Sequence, residues 1–242
     1  MKRKSLLGIN FSCITMDEAL EYILKFLEED KLHTIFTPNA EIAMEAQRDP
    51  DFKKILNSSD MLIPDGAGVI LSSKILNIKL PQKIPGFDLT RNSFSLQRKI
   101  KTKYFFFGGK DGIAEKAAER VLHSYNNIEI SGCQSGYFKK EDEEAIINKI
   151  NSSNTEFLLV GLGAPKQEKW IHENRDKLNV KVCIGVGGTI DILAGNVKLT
   201  PDFFRRNGLE WLYRLYKEPR RFKRMLDLPR FILLSFKKRI LN

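Results

Sequence analysis

Phe157-Leu158-Leu159-Val160-Gly161-Leu162-Gly163-Ala164-Pro165-Lys166-Gln167-Glu168 decides how this chain is read. An apolar β-like run meets a glycine turn, and Lys166 to Asn174 follows with helical character. The same order recurs on both sides. Thr34-Ile35-Phe36 breaks at Thr37-Pro38-Asn39 before the helix-like Ala40 to Gln47, and Met61-Leu62-Ile63 breaks at Pro64-Asp65-Gly66 before Val69 to Leu76. Tyr104-Phe105-Phe106-Phe107 meets Gly108-Gly109 before Ile113 to Leu122, and Val180 to Val186 meets Gly187-Gly188 before Ile190. Five such units predict an α/β fold: a Rossmann-like, doubly wound, mostly parallel sheet covered by helices, followed by a C-terminal helical, basic appendage. The expected boundary separates a core, residues 1–195, from an appendage, residues 196–242.

In such a sheet, ligands sit at the carboxyl ends of the strands, where the glycine turns lie. Glycine admits a phosphate close to the backbone, and the helix that follows presents free N–H groups. The turns at 108, 161 and 187 together favour a nucleotide or phosphate ligand, although any one of them is equally well a tight connection. None reads GxxxxGK[ST] or GxGxxG, which argues against a P-loop NTPase and a dinucleotide enzyme.

Composition narrows the class further. The 242 residues are 42% hydrophobic and 29% charged, enough for a sizeable core in one large domain. No apolar run reaches the roughly 18 residues of a membrane span, and the basic start lacks the apolar centre of a secretory signal. Cys13, Cys133 and Cys183 are isolated, as are His33, His123 and His172, so neither a disulfide framework nor a metal site is expected. The chain is expected in the cytoplasm, peripheral on the inner face of the cell membrane.

The net charge of +10 is concentrated at one end. Residues 203–242 hold twelve bases against three acids, nine of the ten net positive charges. The bases alternate with Phe203, Phe204, Trp211, Tyr213 and Tyr216, and then with Phe231 to Leu241. A solvated disordered tail would be poor in aromatics. Amphipathic basic and aromatic stretches suit an anionic membrane surface, which is the preferred reading over simple packing on the body. Nucleic acid is not expected as a partner, because no recognition motif accompanies the charge.

The phrases become specific when taken in order. Thr37-Pro38-Asn39-Ala40-Glu41, Pro64-Asp65-Gly66-Ala67-Gly68, Pro85-Gly86-Phe87-Asp88, Gly136-Tyr137-Phe138 and Gly161-Leu162-Gly163-Ala164-Pro165-Lys166-Gln167-Glu168 are followed by Gly187-Gly188. Asp191, Leu193-Ala194-Gly195, Gly208-Leu209-Glu210-Trp211-Leu212-Tyr213-Arg214 and Glu218-Pro219-Arg220-Arg221 complete the set. Along almost the whole chain this resembles the WecG/TagA/CpsF glycosyltransferases.

The resemblance implies a metal-independent, inverting transferase without cofactor. It would move N-acetylmannosamine from its UDP-sugar onto undecaprenyl-diphosphate-linked N-acetylglucosamine for wall teichoic acid or a related polysaccharide. Another UDP-sugar donor, the uronic acid or glucose, stays open, as do a binding module and a noncatalytic scaffold. The resemblance makes Asp65 the general base, with Thr37 and Gln167 placing sugar and acceptor. Read locally, Asp65 is a turn residue and Asn39 an N-cap.

Tyr137 and Asp191 are the candidates for uridine. Gly187 and Gly188 would let the diphosphate approach the backbone, and Arg214, Arg221 and Arg224 would meet the charge that leaves with UDP. Asn39, Lys83, Gly108, Gly109 and Gly163 are further substrate-binding candidates. Lys83 stands where the family pattern is expected to carry arginine, keeping charge but losing the two-pronged fork. A homo-oligomer whose assembly excludes activity is a further expectation, drawn from the family and from the tail.

Overall fold

The computed structural model describes residues 1–96 and 101–241, and of Arg221 its backbone alone. The chain opens with an antiparallel hairpin, β1 (Arg3–Leu6) and β2 (Ile9–Ser12). Then come α1 (Met16–Glu28), β3 (His33–Phe36), α2 (Ala40–Arg48), α3 (Pro50–Ser58), β4 (Met61–Leu62), α4 (Ala67–Ile75) and α5 (Gly86–Ser93). β5 (Thr102–Gly108), α6 (Ile113–Ser124), β6 (Ile128–Gln134) and α7 (Glu143–Ser152) follow. β7 (Phe157–Gly161), α8 (Lys166–Asn174), β8 (Val182–Gly185) and α9 (Thr189–Leu193) complete the layers. Four helices end the chain: α10 (Asp202–Arg206), α11 (Glu210–Lys217), α12 (Phe222–Met225) and α13 (Asp227–Ile240).

Six strands form one parallel sheet in the order β4-β3-β8-β7-β5-β6. Alternation along each strand builds two cores, because successive side chains leave opposite faces. Tyr104, Phe106, Phe157, Leu159, Val182 and Ile184 pack beneath α1, α5, α6 and α9. Phe105, Phe107, Leu158, Val160 and Cys183 pack beneath the hairpin, α2, α3, α4, α7 and α8. Each large apolar side chain buried this way contributes roughly 1.5–3 kcal/mol. Tyr104 spends its hydroxyl inside the core, donating to the Ser93 carbonyl at 2.9 Å.

The five expected strands are all present, and a sixth joins them. β6 lies at the sheet edge, and its Glu129, Ser131 and Gly132 break any apolar run, so it carries no buried-strand signature. α1 is fixed by a capping box in which Thr15 Oγ1 accepts from the Glu18 N–H and Glu18 Oε2 from the Thr15 N–H at 2.7 Å.

The connections set where the sheet opens. After β3 the chain passes to the face of α2, and after β8 to the opposite face, where α9 lies. β7 and β5 diverge in the same way, through α8 and α6. Two neighbouring crevices therefore open at the carboxyl edge.

α10 to α12 arch over that edge, and α13 returns to pack on α4 and α2. Its Phe231 is fully buried in the core, and Arg239 Nη1 donates to the Ile75 carbonyl at 3.0 Å. Leu233, Phe236, Ile240 and Leu241 stay exposed. The apolar groups between Pro229 and Leu241 thus divide, some packed on the body and some facing outward. Among the described residues, no helix is long and apolar enough to cross a membrane.

Candidate active site

Two cavities fill the crevices. The first, about 570 Å³, is floored by Thr37 and Asn39 beyond β3, Asp65 beyond β4, and Gly163 and Gln167 around the start of α8. Arg214 and Arg224 of the appendage line its other side. The second, about 770 Å³, lies between Gly109 beyond β5, Tyr137 beyond β6 and Lys166 of α8. Gly163, Gly187, Gly188 and Asp191 line both, so one wall divides two communicating chambers.

Asp65 sits half-buried on the floor of the first chamber. Its Oδ2 accepts from the Gly86 N–H at 3.2 Å. Burial pushes its carboxyl up to about 6; Glu210 nearby adds to the rise, while the Gly86 N–H, Arg214 and Lys83 oppose it. Gly86 has to be glycine here, since a Cβ would stand 2.7 Å from Thr37 Oγ1. One residue without a side chain therefore keeps the Thr37 hydroxyl and the Asp65 carboxyl in one corner.

Asn39 does the two things its sequence position allows. Its Oδ1 caps α2 by accepting from the Ile42 N–H at 3.0 Å, and the residue lines the chamber. Gln167 is almost wholly buried, with its amide engaged inside the protein: Oε1 accepts from the Gly187 N–H at 2.9 Å, and Nε2 donates to Glu168 Oε1 at 2.9 Å. The Gly187 N–H is thus already bonded to Gln167, which leaves the rest of that turn to face a ligand.

Other predicted residues stand elsewhere. Lys83 is not among the residues lining either chamber. Its ammonium pairs with Glu210 and donates to the Arg205 carbonyl at 3.2 Å, tying the loop before α5 to the appendage. Gly108 also lies outside the linings, and its role is packing: a Cβ would stand 2.6 Å from the Gly161 carbonyl on the neighbouring strand. The side chain of Arg221 lies outside the described residues. Tyr137 presents an exposed ring at the second chamber, and Asp191 lies in the dividing wall.

The appendage is stapled to the body by paired charges that composition alone hides. Lys83 pairs with Glu210, Asp88 with Arg205, and Arg48 with Asp227, while Glu41 Oε2 stands 3.3 Å from Arg224 Nε. Part of the basic tail is therefore spent on the protein itself. Sequence reasoning also missed Glu168, buried beside Gln167, because a glutamate in a first helical turn ordinarily complements the helix dipole in solvent. Among the described residues, no group of three or more His, Cys, Asp or Glu gathers as a metal site.

The arrangement offers a half-buried carboxyl with a raised pKa, a hydroxyl beside it and guanidinium groups across the chamber. A second chamber next door carries an aromatic face. This suits proton abstraction from a hydroxyl beside bound phosphate.

Comparison with known proteins places the chain in a family. The model of the glycosyl transferase WecG/TagA/CpsF family matches residues 4–242. A Bacillus spizizenii protein named N-acetylglucosaminyldiphosphoundecaprenol N-acetyl-beta-D-mannosaminyltransferase is 37% identical over 212 residues, covering 88% of this chain and 82% of its own. The Bacillus subtilis protein of the same name is 33% identical over 239 residues, covering 98% and 93%. That of Staphylococcus aureus is 30% identical over 229 residues, covering 94% and 89%. With the family pattern running from the first strand to the last helix, the chain belongs to the glycosyl transferase WecG/TagA/CpsF family.

Proposed function

We propose that the chain transfers N-acetylmannosamine from UDP-N-acetylmannosamine to undecaprenyl-diphosphate-linked N-acetylglucosamine, with inversion and without a metal, in wall teichoic acid synthesis. The observation that carries this reading is Asp65, a half-buried carboxyl with a raised pKa, on the floor of the chamber that Arg214 and Arg224 line. The relatives' name supplies the two sugars and the lipid.

In this reading the acceptor occupies the first chamber. Because Arg214 and Arg224 line that chamber and not the second, they meet the acceptor's diphosphate rather than, as the sequence suggests, the donor's. The donor nucleotide occupies the second, with uracil on the Tyr137 ring and the sugar reaching across the glycine wall. Asp65 takes the proton from the acceptor hydroxyl as that oxygen attacks the anomeric carbon, and the bond from carbon to the UDP oxygen breaks on the opposite face. The electron pair leaves with UDP. Lys110 and Lys166, which line the donor chamber, would meet that charge. Phe203, Trp211, Leu212, Tyr216 and Phe222 are exposed on the appendage among its bases, which supports a cytoplasmic enzyme resting on an anionic bilayer face near its lipid substrate.

The test is UDP release by the full chain in EDTA, from UDP-N-acetylmannosamine and a lipid-diphosphate N-acetylglucosamine analogue. Turnover in EDTA supports the reading. A requirement for divalent metal overturns metal independence, and turnover only with UDP-glucose or the uronic acid donor overturns the donor.

Arg214→Ala tests the acceptor chamber. Losing a charge-assisted contact to phosphate costs about 1.5–3 kcal/mol, so the acceptor KM should rise about 10- to 100-fold with the donor KM little changed. An unchanged acceptor KM would remove Arg214 from the diphosphate.

A further inference from the structure

Glu168 stands in the first turn of α8 with 1% of its surface exposed, and no step above uses it. The hydrogen bonds around it fix which way the neighbouring amide points. The Gly187 N–H is donor only, so the Gln167 atom that meets it at 2.9 Å is the carbonyl oxygen. Nε2 is thereby turned toward Glu168 Oε1 at 2.9 Å, and that oxygen has to accept. The space is cut for this arrangement, since a Cβ at Gly185 would stand 2.8 Å from Gln167 Nε2. A chain of two hydrogen bonds thus runs from Glu168 through Gln167 to Gly187, where the wall between the chambers begins.

We propose that Glu168 is a positioning residue for sugar transfer: by accepting from Gln167 Nε2, it orients the amide that holds the Gly187–Gly188 wall against the donor diphosphate. The proposal rests on the transferase reading above. Burial pushes the Glu168 carboxyl up to about 7, so it carries a proton part of the time near neutrality. The role survives that change. Oε2 has no hydrogen-bond partner and is the oxygen placed to take the proton, which leaves Oε1 an acceptor in either state.

A pair of variants isolates the acceptor. Glu168→Gln keeps a carbonyl for Gln167, whereas Glu168→Leu fills similar space with none and leaves a buried N–H unsatisfied. If Glu168 were only buried bulk, leucine would serve as well as glutamine or better. The expected result is that Glu168→Leu still folds, with a Tm within several degrees of wild type, while kcat falls about tenfold or more, and Glu168→Gln stays within about threefold. Glu168→Met replaces the leucine variant if that one does not fold.

Hydrogen exchange of the full chain without substrate supplies a second readout. Peptides spanning 185–193 should exchange about tenfold faster in the leucine variant and remain protected in the glutamine one. Equal protection and equal turnover in the two variants would overturn the proposal. A wild type inactive with every UDP-sugar would instead sink the transferase reading, and the exchange data would still decide whether Glu168 holds the wall.

Discussion

Asp65→Asn should cut kcat by about 10²- to 10⁴-fold while raising the melting temperature. The first half follows from the role of the carboxyl. Asparagine keeps the size and can still accept from the Gly86 N–H, but it takes no proton from the acceptor hydroxyl. The same chemistry gives the wild type a pH limb. A base with a pKa of about 6 is protonated below that value, so kcat/KM should climb through pH 6 and level off above it. Glu210 contributes to the raised value, so Glu210→Gln should move the limb to lower pH.

The second half follows by linkage. A carboxyl raised from 3.8 to about 6 holds its proton more tightly in the folded state. Its contribution to stability is full below the unfolded pKa near 3.8, and it is lost as pH rises through the folded value near 6. At pH 7.5 the ionised Asp65 therefore opposes folding, by about 1–2 kcal/mol once solvent in the open chamber is allowed for. Asparagine removes that opposition, and the Tm should rise by about 3–6 °C. Turnover within threefold of wild type would exclude Asp65 as the base. A fall in Tm would mean that the carboxylate holds the turn together.

What the sequence made legible follows from where information is local. β5, β7 and β8 read clearly because a strand buried on both faces has to be apolar almost throughout, as in Tyr104 to Phe107. β6 stayed hidden because an edge strand lacks that constraint. Thr37, Asn39, Asp65 and Gln167 drew notice through the order of their phrases, and the fold collects them from the ends of three strands into one chamber. Spacing alone could not have done so, since proline, glycine and aspartate at a strand end describe any tight turn.

Lys83 shows the limit from the other side. Its partner Glu210 lies far along the chain, so a lysine read as a substrate-binding candidate in place of the family's arginine becomes an anchor for the appendage. Glu168 is the sharper case. Nothing local distinguishes a buried glutamate from a solvated one in the first turn of a helix; only the depth of α8 against the sheet does.

The tail was the most ambiguous stretch, because the same residues suit a bilayer and a core. Phe231→Ala decides how much belongs to each. Phe231 is fully buried, and removing an aromatic ring from such a site costs about 3–5 kcal/mol. In a chain of this size that should lower Tm by about 6–15 °C.

The effect should reach the chemistry. Leu228, one turn before Phe231, lies so close to α4 that a Cβ on Gly68 would stand 2.3 Å from its Cδ1, and α4 begins two residues after Asp65. Loosening α13 therefore disturbs the turn that carries the proposed base, as well as α11 and α12 with Arg214 and Arg224. Turnover should fall even in detergent, where no bilayer takes part.

Ile240, 83% exposed at the far end of the same helix, is the matched control. Ile240→Ser should leave Tm within about 1 °C and weaken binding to anionic vesicles. If Phe231→Ala instead left Tm unchanged and altered vesicle binding alone, α13 would be a surface anchor resting lightly on the body.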